Sequence, residues 1–151
     1  NLVGYWNDPE RTAHVLTADG WLRTGDLGRV DESGHIFLVD RAKDLVISGG
    51  ENVYPVEVEN VLATHPQLAE VAVIGVPHDR WGETIMAIVV PRAGETVVEE
   101  EVIGFVRQRL AKFKCPTRVE VVATLPRTAT GKILKHVLRE PYWRGYDRRI
   151  N

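Results

Sequence analysis

The sequence predicts an α+β fold in which a three-stranded sheet is packed by helices and is preceded by a region rich in β-hairpins. Three observations lead to this prediction. Val- and Ile-rich runs with strand character recur in the second half of the chain, and segments with helical periodicity lie between them. The first part of the chain differs, since it is rich in turn-forming and aromatic residues. With 151 residues, the chain has room for one domain, or for one domain and part of another.

The first region contains a predicted helix and a predicted hairpin. The helix begins at Pro9, because Asp8 is a favoured N-cap residue and proline suits the first helical position. Leu27–Val30 and His35–Val39 are predicted strands, and the residues Asp31–Gly34 between them are typical of a hairpin turn.

After a boundary that we place at Asp40–Asp44, strands and helices alternate as in a small α+β domain. The predicted strands are Leu45–Ser48, Glu70–Val76, Thr84–Val90 and Arg118–Ala123, of which the last three form the expected sheet. The predicted helices are Pro55–Thr64, Glu99–Leu110 and Ile133–Arg139. His65–Pro66 ends the first helix and Pro141 ends the last, because a proline disfavours helical torsions in the residue before it.

Composition excludes several classes of protein. The single cysteine, Cys115, excludes an internal disulfide framework and a cysteine-rich zinc site. The five histidines show no ligand spacing, so no metal site is predicted. Apolar runs such as Ile85–Pro91 are too short to span a bilayer, and no leader segment is visible. We therefore expect a cytoplasmic protein without a transmembrane segment.

Charge is distributed unevenly along the chain. Residues 1–101 carry 7 Lys/Arg and 18 Asp/Glu, a net charge of −11, whereas residues 102–151 carry 12 and 3, a net charge of +9. Such a split suits nucleic acid, an anionic membrane, a polyphosphate ligand, or no specific partner. Nucleic acid is not expected, because no recognition motif and no interleaved basic and aromatic pattern is present.

Common phosphate-binding and hydrolase motifs are missing from the sequence. Gly131–Lys132 is not part of a Walker loop, since Pro126 and Ile133 stand where that loop needs glycine and a hydroxyl residue. No G-x-G-x-x-G follows a strand, and no G-x-S-x-G elbow exists. The sequence therefore does not support a P-loop or dinucleotide-binding enzyme.

Three separated segments agree in order and spacing with one known family. They are Trp21–Leu27 (WLRTGDL), Asp40–Pro55 (DRAKDLVISGGENVYP) and Pro126–Leu134 (PRTATGKIL). The chain resembles the C-terminal third of the adenylate-forming, or AMP-binding, enzymes, and most closely the fatty-acyl-CoA synthetases. The resemblance implies that residues 1–41 are the end of a large, truncated N-terminal domain. Residues 42–140 would be a small mobile domain, and residues 141–151 a basic tail.

The resemblance implies nucleotide-binding roles for Asp26 and Arg41. Asp26 of the T-G-D motif would accept hydrogen bonds from both ribose hydroxyls of ATP, and Arg41 would face the nucleotide. Lys43 matches the family's hinge residue, whose backbone torsions change as the small domain rotates. Each of these residues has an alternative interpretation. Asp26 would be a turn residue, Arg41 a surface residue paired with Asp40 or Asp44, and Lys43 an ordinary exposed lysine.

Four residues are implied in CoA binding. In related CoA ligases the Gly49–Gly50 turn borders the pantetheine tunnel; the alternative is a plain turn. Trp81 and Lys114 match residues that meet the CoA nucleotide, by stacking and by phosphate contact respectively. The alternative for Trp81 is a packed core aromatic residue. Cys115 and Thr117 stand where one relative has basic residues, so the same 3′-phosphate contacts are not expected here.

Lys132 matches the family's catalytic lysine, which balances negative charge as a carboxylate attacks the α-phosphate of ATP. Alternatively, Lys132 is an ordinary lysine of a basic tail. The implied reaction uses ATP, with Mg²⁺ carried on the nucleotide, and CoA. A carboxylic acid, expected to be a fatty acid, forms an acyl-adenylate with release of pyrophosphate, and the acyl group then passes to CoA with release of AMP.

Two other functions stay open on the sequence alone. One is an adenylation domain that loads a carrier protein, and the other is a non-catalytic binding module derived from the same fold. Retention of Asp26 and Lys132 argues against the module. In the family, the large domain carries the phosphate loop and the acyl pocket. We therefore expect an acid–thiol ligase as the parent enzyme and an inactive chain on its own.

Overall fold

The computed structural model describes residues 2–146. The chain divides into two compact units, Asn1–Ala42 and Lys43–Asn151. Within the described residues, no helix combines the length and the apolar character needed to cross a membrane. Residues 147–151 of the predicted basic tail lie outside the described residues.

The first unit contains one helix and a two-stranded sheet. Helix α1 spans Pro9–Val15, and the Asp8 carboxylate caps it by accepting a hydrogen bond from the backbone N–H of Arg11 at 2.9 Å. Strands β1 (Asp26–Val30) and β2 (Ile36–Arg41) pair in antiparallel orientation. The helix and the hairpin predicted for this region are therefore confirmed.

The second unit is built on a five-stranded sheet with helices on both faces. Its strands are β3 (Val46–Ser48), β4 (Glu51–Val53), β5 (Leu68–His78), β6 (Gly82–Pro91) and β7 (Arg118–Val121), and its helices are α2 (Pro55–Leu62), α3 (Glu99–Arg107) and α4 (Lys135–Trp143). Strands β5 and β6 form a long antiparallel hairpin, and β7 runs parallel to β6. The α+β class is confirmed, and the sheet has five strands instead of three.

The two strands that the predicted sheet lacked are β3 and β4, which have three residues each. Strand β3 coincides with a predicted strand, and it joins the sheet where Ser48 pairs with Gly82 of β6. No pattern of side chains marks β4, which forms because the chain reverses at Gly49–Gly50 and brings Val53 opposite Val46. The turn, and not a run of apolar residues, thus creates this strand.

Side chains of β5 and β6 alternate between two buried faces of the sheet. On the face covered by α2 and α3, the buried side chains include Val73, Ile85, Ala87 and Val89 from the strands and Val58, Leu62, Val102 and Val106 from the helices. On the face covered by α4, they include Ala72, Ile74, Val76, Met86 and Ile88, together with Leu125. Burial on both faces accounts for the nearly continuous apolar sequence of these strands.

Helix α4 extends beyond its predicted end. Pro141 lies inside the helix, which continues to Trp143 although proline cannot donate a backbone hydrogen bond. Tertiary contacts hold the last turn: the Trp143 indole N–H donates to the Gly75 carbonyl at 3.0 Å, and Tyr142 packs into the core and donates to the Glu120 carboxylate. The prediction that Pro141 ends this helix is wrong for that reason.

Candidate functional site

Asp26 and Arg41 lie opposite each other at the end of the β1–β2 hairpin away from its turn. They are register partners, and Arg41 Nε lies 3.3 Å from Asp26 Oδ1. The backbone N–H of Arg41 donates to the Asp40 carboxylate at 2.7 Å. The ion pair engages one guanidinium nitrogen and one carboxylate oxygen. It therefore offers further donors and a second acceptor oxygen to a ligand with hydroxyl or phosphate groups.

Lys43 lies in a 3₁₀ turn, Ala42–Asp44, with an exposed side chain and an anchored backbone. Its carbonyl accepts a hydrogen bond from Arg139 Nη1 of α4 at 3.0 Å. Arg139 Nη2 also pairs with the Asp44 carboxylate, and the two side chains are only 10% and 12% exposed. Arg139 was not predicted as a site residue, because no local pattern links it to the distant turn Ala42–Asp44.

The Gly49–Gly50 turn and Trp81 lie side by side. Both glycines have positive φ, 60° and 89°, as a two-residue hairpin turn between β3 and β4 requires. The Gly49 N–H donates to the Trp81 carbonyl at 3.1 Å. A Cβ on Gly49 would lie 3.5 Å from indole atom Cδ1. The structure thus brings together three of the four residues implied in CoA binding.

Trp81 is not a core residue, since 41% of the residue is exposed. One face of the indole is stacked on the His78 ring, with ring centroids 4.4 Å apart and an interplanar angle of 11°. His78 Nδ1 accepts hydrogen bonds from the backbone N–H groups of Arg80 at 3.2 Å and of Trp81 at 3.3 Å. His78 was not predicted as a site residue, although its position three residues before Trp81 in one tight turn is a usable signal.

Lys114 is already paired within the second unit. Its ammonium lies 2.8 Å from Glu57 Oε1 and 2.7 Å from Oε2, and its side chain is 24% exposed. A phosphate contact at Lys114 would therefore have to compete with Glu57. The neighbouring Cys115 is buried, and burial raises the pKa of its thiol, so this thiol has no feature of a reactive nucleophile.

Lys132 lies on an exposed loop that is folded back on itself. Its backbone N–H donates to Thr128 Oγ1 at 3.1 Å, and its carbonyl accepts from the Thr128 N–H at 2.8 Å. Gly131 next to it has φ of 85°, a torsion that glycine adopts readily. Among residues 2–146, no hydrogen-bond or ion-pair partner holds the Lys132 ammonium. The loop therefore fixes the backbone of Lys132 and presents its charge to solvent.

Arg127 ties this loop to the sheet. Its Nη1 donates to the Gly131 carbonyl at 2.6 Å, and its Nη2 pairs with Glu70 Oε2 of β5 at 2.8 Å. A β-bridge between Arg127 and Ile133 closes the base of the loop. Arg127 lies inside the family motif Pro126–Leu134, but no role was predicted for it. Its function in the fold is to hold the backbone next to Lys132.

Residues 57–132 match the sequence model of the family described as AMP-binding enzyme C-terminal domain. The chain belongs to this family. The resemblance proposed from the three sequence segments is therefore confirmed, and the matched range ends at Lys132.

Relatives of this AMP-binding enzyme domain are acyl ligases. A dioxo-octahydroindenyl-propanoyl:CoA ligase of Rhodococcus jostii is 52% identical over 139 residues, covering 92% of the chain and 27% of the ligase. A fatty acid–acyl-carrier-protein ligase, ScoC of Streptomyces coeruleorubidus, is 45% identical over 150 residues, covering 99% and 29%. ATP-bound MatB of Rhodopseudomonas palustris superposes with a TM-score of 0.86 at 46% identity, covering 96% and 29%. The chain thus spans less than a third of the length of these relatives.

Proposed function

We propose that this chain is the C-terminal portion of an ATP-dependent acyl-CoA synthetase, with a hinge at Lys43. Residues 1–41 would end the large AMP-binding domain, residues 42–140 would form the mobile domain, and residues 141–151 would be its tail. The observation that carries the proposal concerns Lys132: its loop backbone is held by Thr128, while its ammonium has no partner within residues 2–146. The proposal includes action in the cytoplasm, which the single, buried cysteine supports.

In the first half of the reaction, Lys132 would stabilise negative charge. A carboxylate oxygen of the acid attacks the α-phosphorus of ATP, the bond to the bridging oxygen breaks, and pyrophosphate leaves. A mobile ammonium can contact both the carboxylate and the α-phosphate as charge shifts between them. Asp26 would accept both ribose hydroxyls, and Arg41 beside it would donate to the nucleotide. Mg²⁺ would be carried on ATP; the described residues contain no cluster of metal ligands.

In the second half, the Gly49–Gly50 turn and Trp81 would receive CoA. The CoA sulfur loses its proton and attacks the acyl carbon, and AMP leaves with the electrons of the acyl–oxygen bond. The glycines allow a narrow pantetheine arm to approach the backbone, and the exposed indole offers a flat apolar surface. Lys114 would contact a CoA phosphate if it exchanged Glu57 for that ligand.

The carrier-protein-loading function is the second candidate. ScoC, which acts on an acyl-carrier protein, matches nearly the whole chain. CoA and carrier proteins both present a pantetheine thiol, so the glycine turn suits either. The basic C-terminal half of the chain favours a polyanion such as CoA, but a carrier protein with an acidic surface would also be attracted.

Pyrophosphate release by the parent enzyme with a panel of carboxylic acids tests the adenylation half and identifies the acid. Medium- and long-chain fatty acids are expected to be active. Thioester formation is then compared with free CoA and with an acyl-carrier protein as the thiol. We expect CoA to be used, and the isolated 151-residue chain to release no pyrophosphate. If thioester forms on the carrier protein and not on CoA, the proposed function is wrong and the carrier-protein-loading function takes its place.

The hinge is tested by Lys43→Pro in the parent enzyme. Proline fixes φ near −65°, which blocks a torsion change at this residue. We expect adenylate formation to continue while thioester formation falls, because the second half needs the rotation. Equal loss of both halves, or no loss of either, would show that residue 43 is not the hinge.

A further inference from the structure

Trp81 is partly exposed to solvent, yet contacts with neighbouring residues hold its backbone and one face of its indole ring. The His78 ring covers one face of the indole in a nearly parallel stack, at a centroid distance of 4.4 Å. The Gly49 N–H binds the Trp81 carbonyl at 3.1 Å, and the adjacent Gly82 pairs with Ser48. Three neighbours therefore fix the backbone and one face of Trp81, while 41% of the residue stays exposed.

His78 contributes to this arrangement in two ways. Its ring supplies the stacking surface, and its Nδ1 accepts from the N–H groups of Arg80 and Trp81, which closes the turn. Arg80 and Trp81 are exposed, so water can replace the Nδ1 acceptor at little cost. Water cannot replace the stacked ring. The stack is therefore the part of His78 that determines the orientation of the indole.

We infer that His78 is a positioning residue for thiol-substrate binding: it holds the Trp81 indole as a rigid surface beside the Gly49–Gly50 turn, against which CoA binds. Resting on the proposed function, this adds a residue that acts through Trp81 without contacting CoA. A preorganised side chain loses less conformational entropy when the ligand binds, so its effect appears in the affinity for CoA. The adenylation half, which depends on Lys132, Asp26 and Arg41, does not use this surface.

The test measures KM for CoA in the parent enzyme with supplied acyl-adenylate, and KM for ATP in pyrophosphate release. His78→Ala is expected to raise KM for CoA about 3- to 10-fold, the size of a lost aromatic stack. KM for ATP should stay unchanged, which also shows that the variant is folded. His78→Phe keeps a stacking ring and should restore most of the affinity for CoA. Asp79→Ala, on the same exposed turn, is the matched control and should have no effect.

A double-mutant comparison separates positioning from direct contact. Because His78 acts through Trp81, the combined His78→Ala, Trp81→Ala variant should have the same KM for CoA as Trp81→Ala alone. Additive effects would overturn the inference, as would a His78→Phe variant no better than His78→Ala. If Trp81→Ala leaves KM for CoA unchanged in an enzyme that makes CoA thioester, the inference fails together with the CoA-binding role of Trp81, and the proposed acyl-CoA synthetase activity stands. A parent enzyme that makes no CoA thioester overturns the proposed function itself.

Discussion

The loop Pro126–Leu134 and helix α4 adjoin in the sequence, and both are basic, yet their positive charges differ in exposure and in ion pairing. Lys132 of the loop is exposed, and within residues 2–146 its ammonium has no partner. Three residues later, Lys135 pairs with Glu59 at 2.7 Å, and the two side chains are 16% and 17% exposed. Arg139 is more deeply buried and binds both the Asp44 carboxylate and the Lys43 carbonyl.

The difference between these neighbours shows that the net charge of +9 in the C-terminal half is not one ligand-binding surface. The cations of α4 are used in the fold: Lys135 joins α4 to α2, and Arg139 joins α4 to the segment that precedes β3. Glu59 is shared, because its Oε1 also accepts from the Val73 N–H of β5 at 2.7 Å. Only a cation without such a partner can move to a substrate, and in this pair of regions that cation is Lys132.

The largest expected effect is on stability, from Arg139→Ala. Removal of the guanidinium leaves the Asp44 carboxylate buried without its cation, so the free energy of unfolding should fall by about 3–5 kcal/mol. Urea unfolding of the 151-residue chain measures it. Arg144→Ala is the matched control, because Arg144 is 77% exposed in its pair with Glu140 and should contribute less than about 1 kcal/mol. Equal effects at the two arginines would contradict the comparison.

Lys132→Ala should have the opposite profile, with a large loss of activity and unchanged stability. Loss of one preorganised charge contact costs about 10²–10³-fold in rate, which should appear in pyrophosphate release by the parent enzyme. Thioester formation from supplied acyl-adenylate and CoA should stay near normal. Lys112→Ala removes another exposed lysine and serves as the control. Normal pyrophosphate release by Lys132→Ala would remove Lys132 from the mechanism.

Lys135→Ala tests the intermediate case. Glu59 would lose its cation but keep the hydrogen bond from Val73, so the free energy of unfolding should fall by about 1–3 kcal/mol. In the parent enzyme, the rate of pyrophosphate release at a temperature where the variant is folded should be near that of the unmodified protein. A loss of activity as large as that of Lys132→Ala would show that α4 also takes part in the chemistry.

The smallest effect is a pH dependence from Tyr142 at the end of α4. Burial, and then its hydrogen bond to Glu120, raise the pKa of Tyr142 to about 12 from an ordinary value of 10. A raised pKa means that the folded state favours the neutral phenol. This contribution to stability is complete below pH 10 and is lost as the pH rises from 10 to about 12. Tyr142→Phe should therefore flatten the decline in stability over this interval, as measured by urea unfolding at several pH values.

Much of the fold follows from local patterns in the sequence. The Val- and Ile-rich strands β5 and β6, the helical spacing of α2 and α3, and the capped start of α1 all depend on residues close together in the chain. The family follows from three short motifs for the same reason. The Gly49–Gly50 turn is also a local property, since its torsions suit glycine wherever the turn stands.

Only the tertiary structure shows which charged and aromatic side chains have partners far away in the chain. Arg139 binds the carbonyl of Lys43, which lies 96 positions earlier in the chain. The Trp143 indole binds the Gly75 carbonyl of β5, and this contact helps α4 to continue beyond Pro141. Local sequence does not show whether Lys114, Lys132 or Lys135 has an ion-pair partner, and long-range packing gives a carboxylate to Lys114 and Lys135. The physical reason is that burial and ion pairing depend on which distant segments come together, whereas turns and strand periodicity depend on neighbours in the chain.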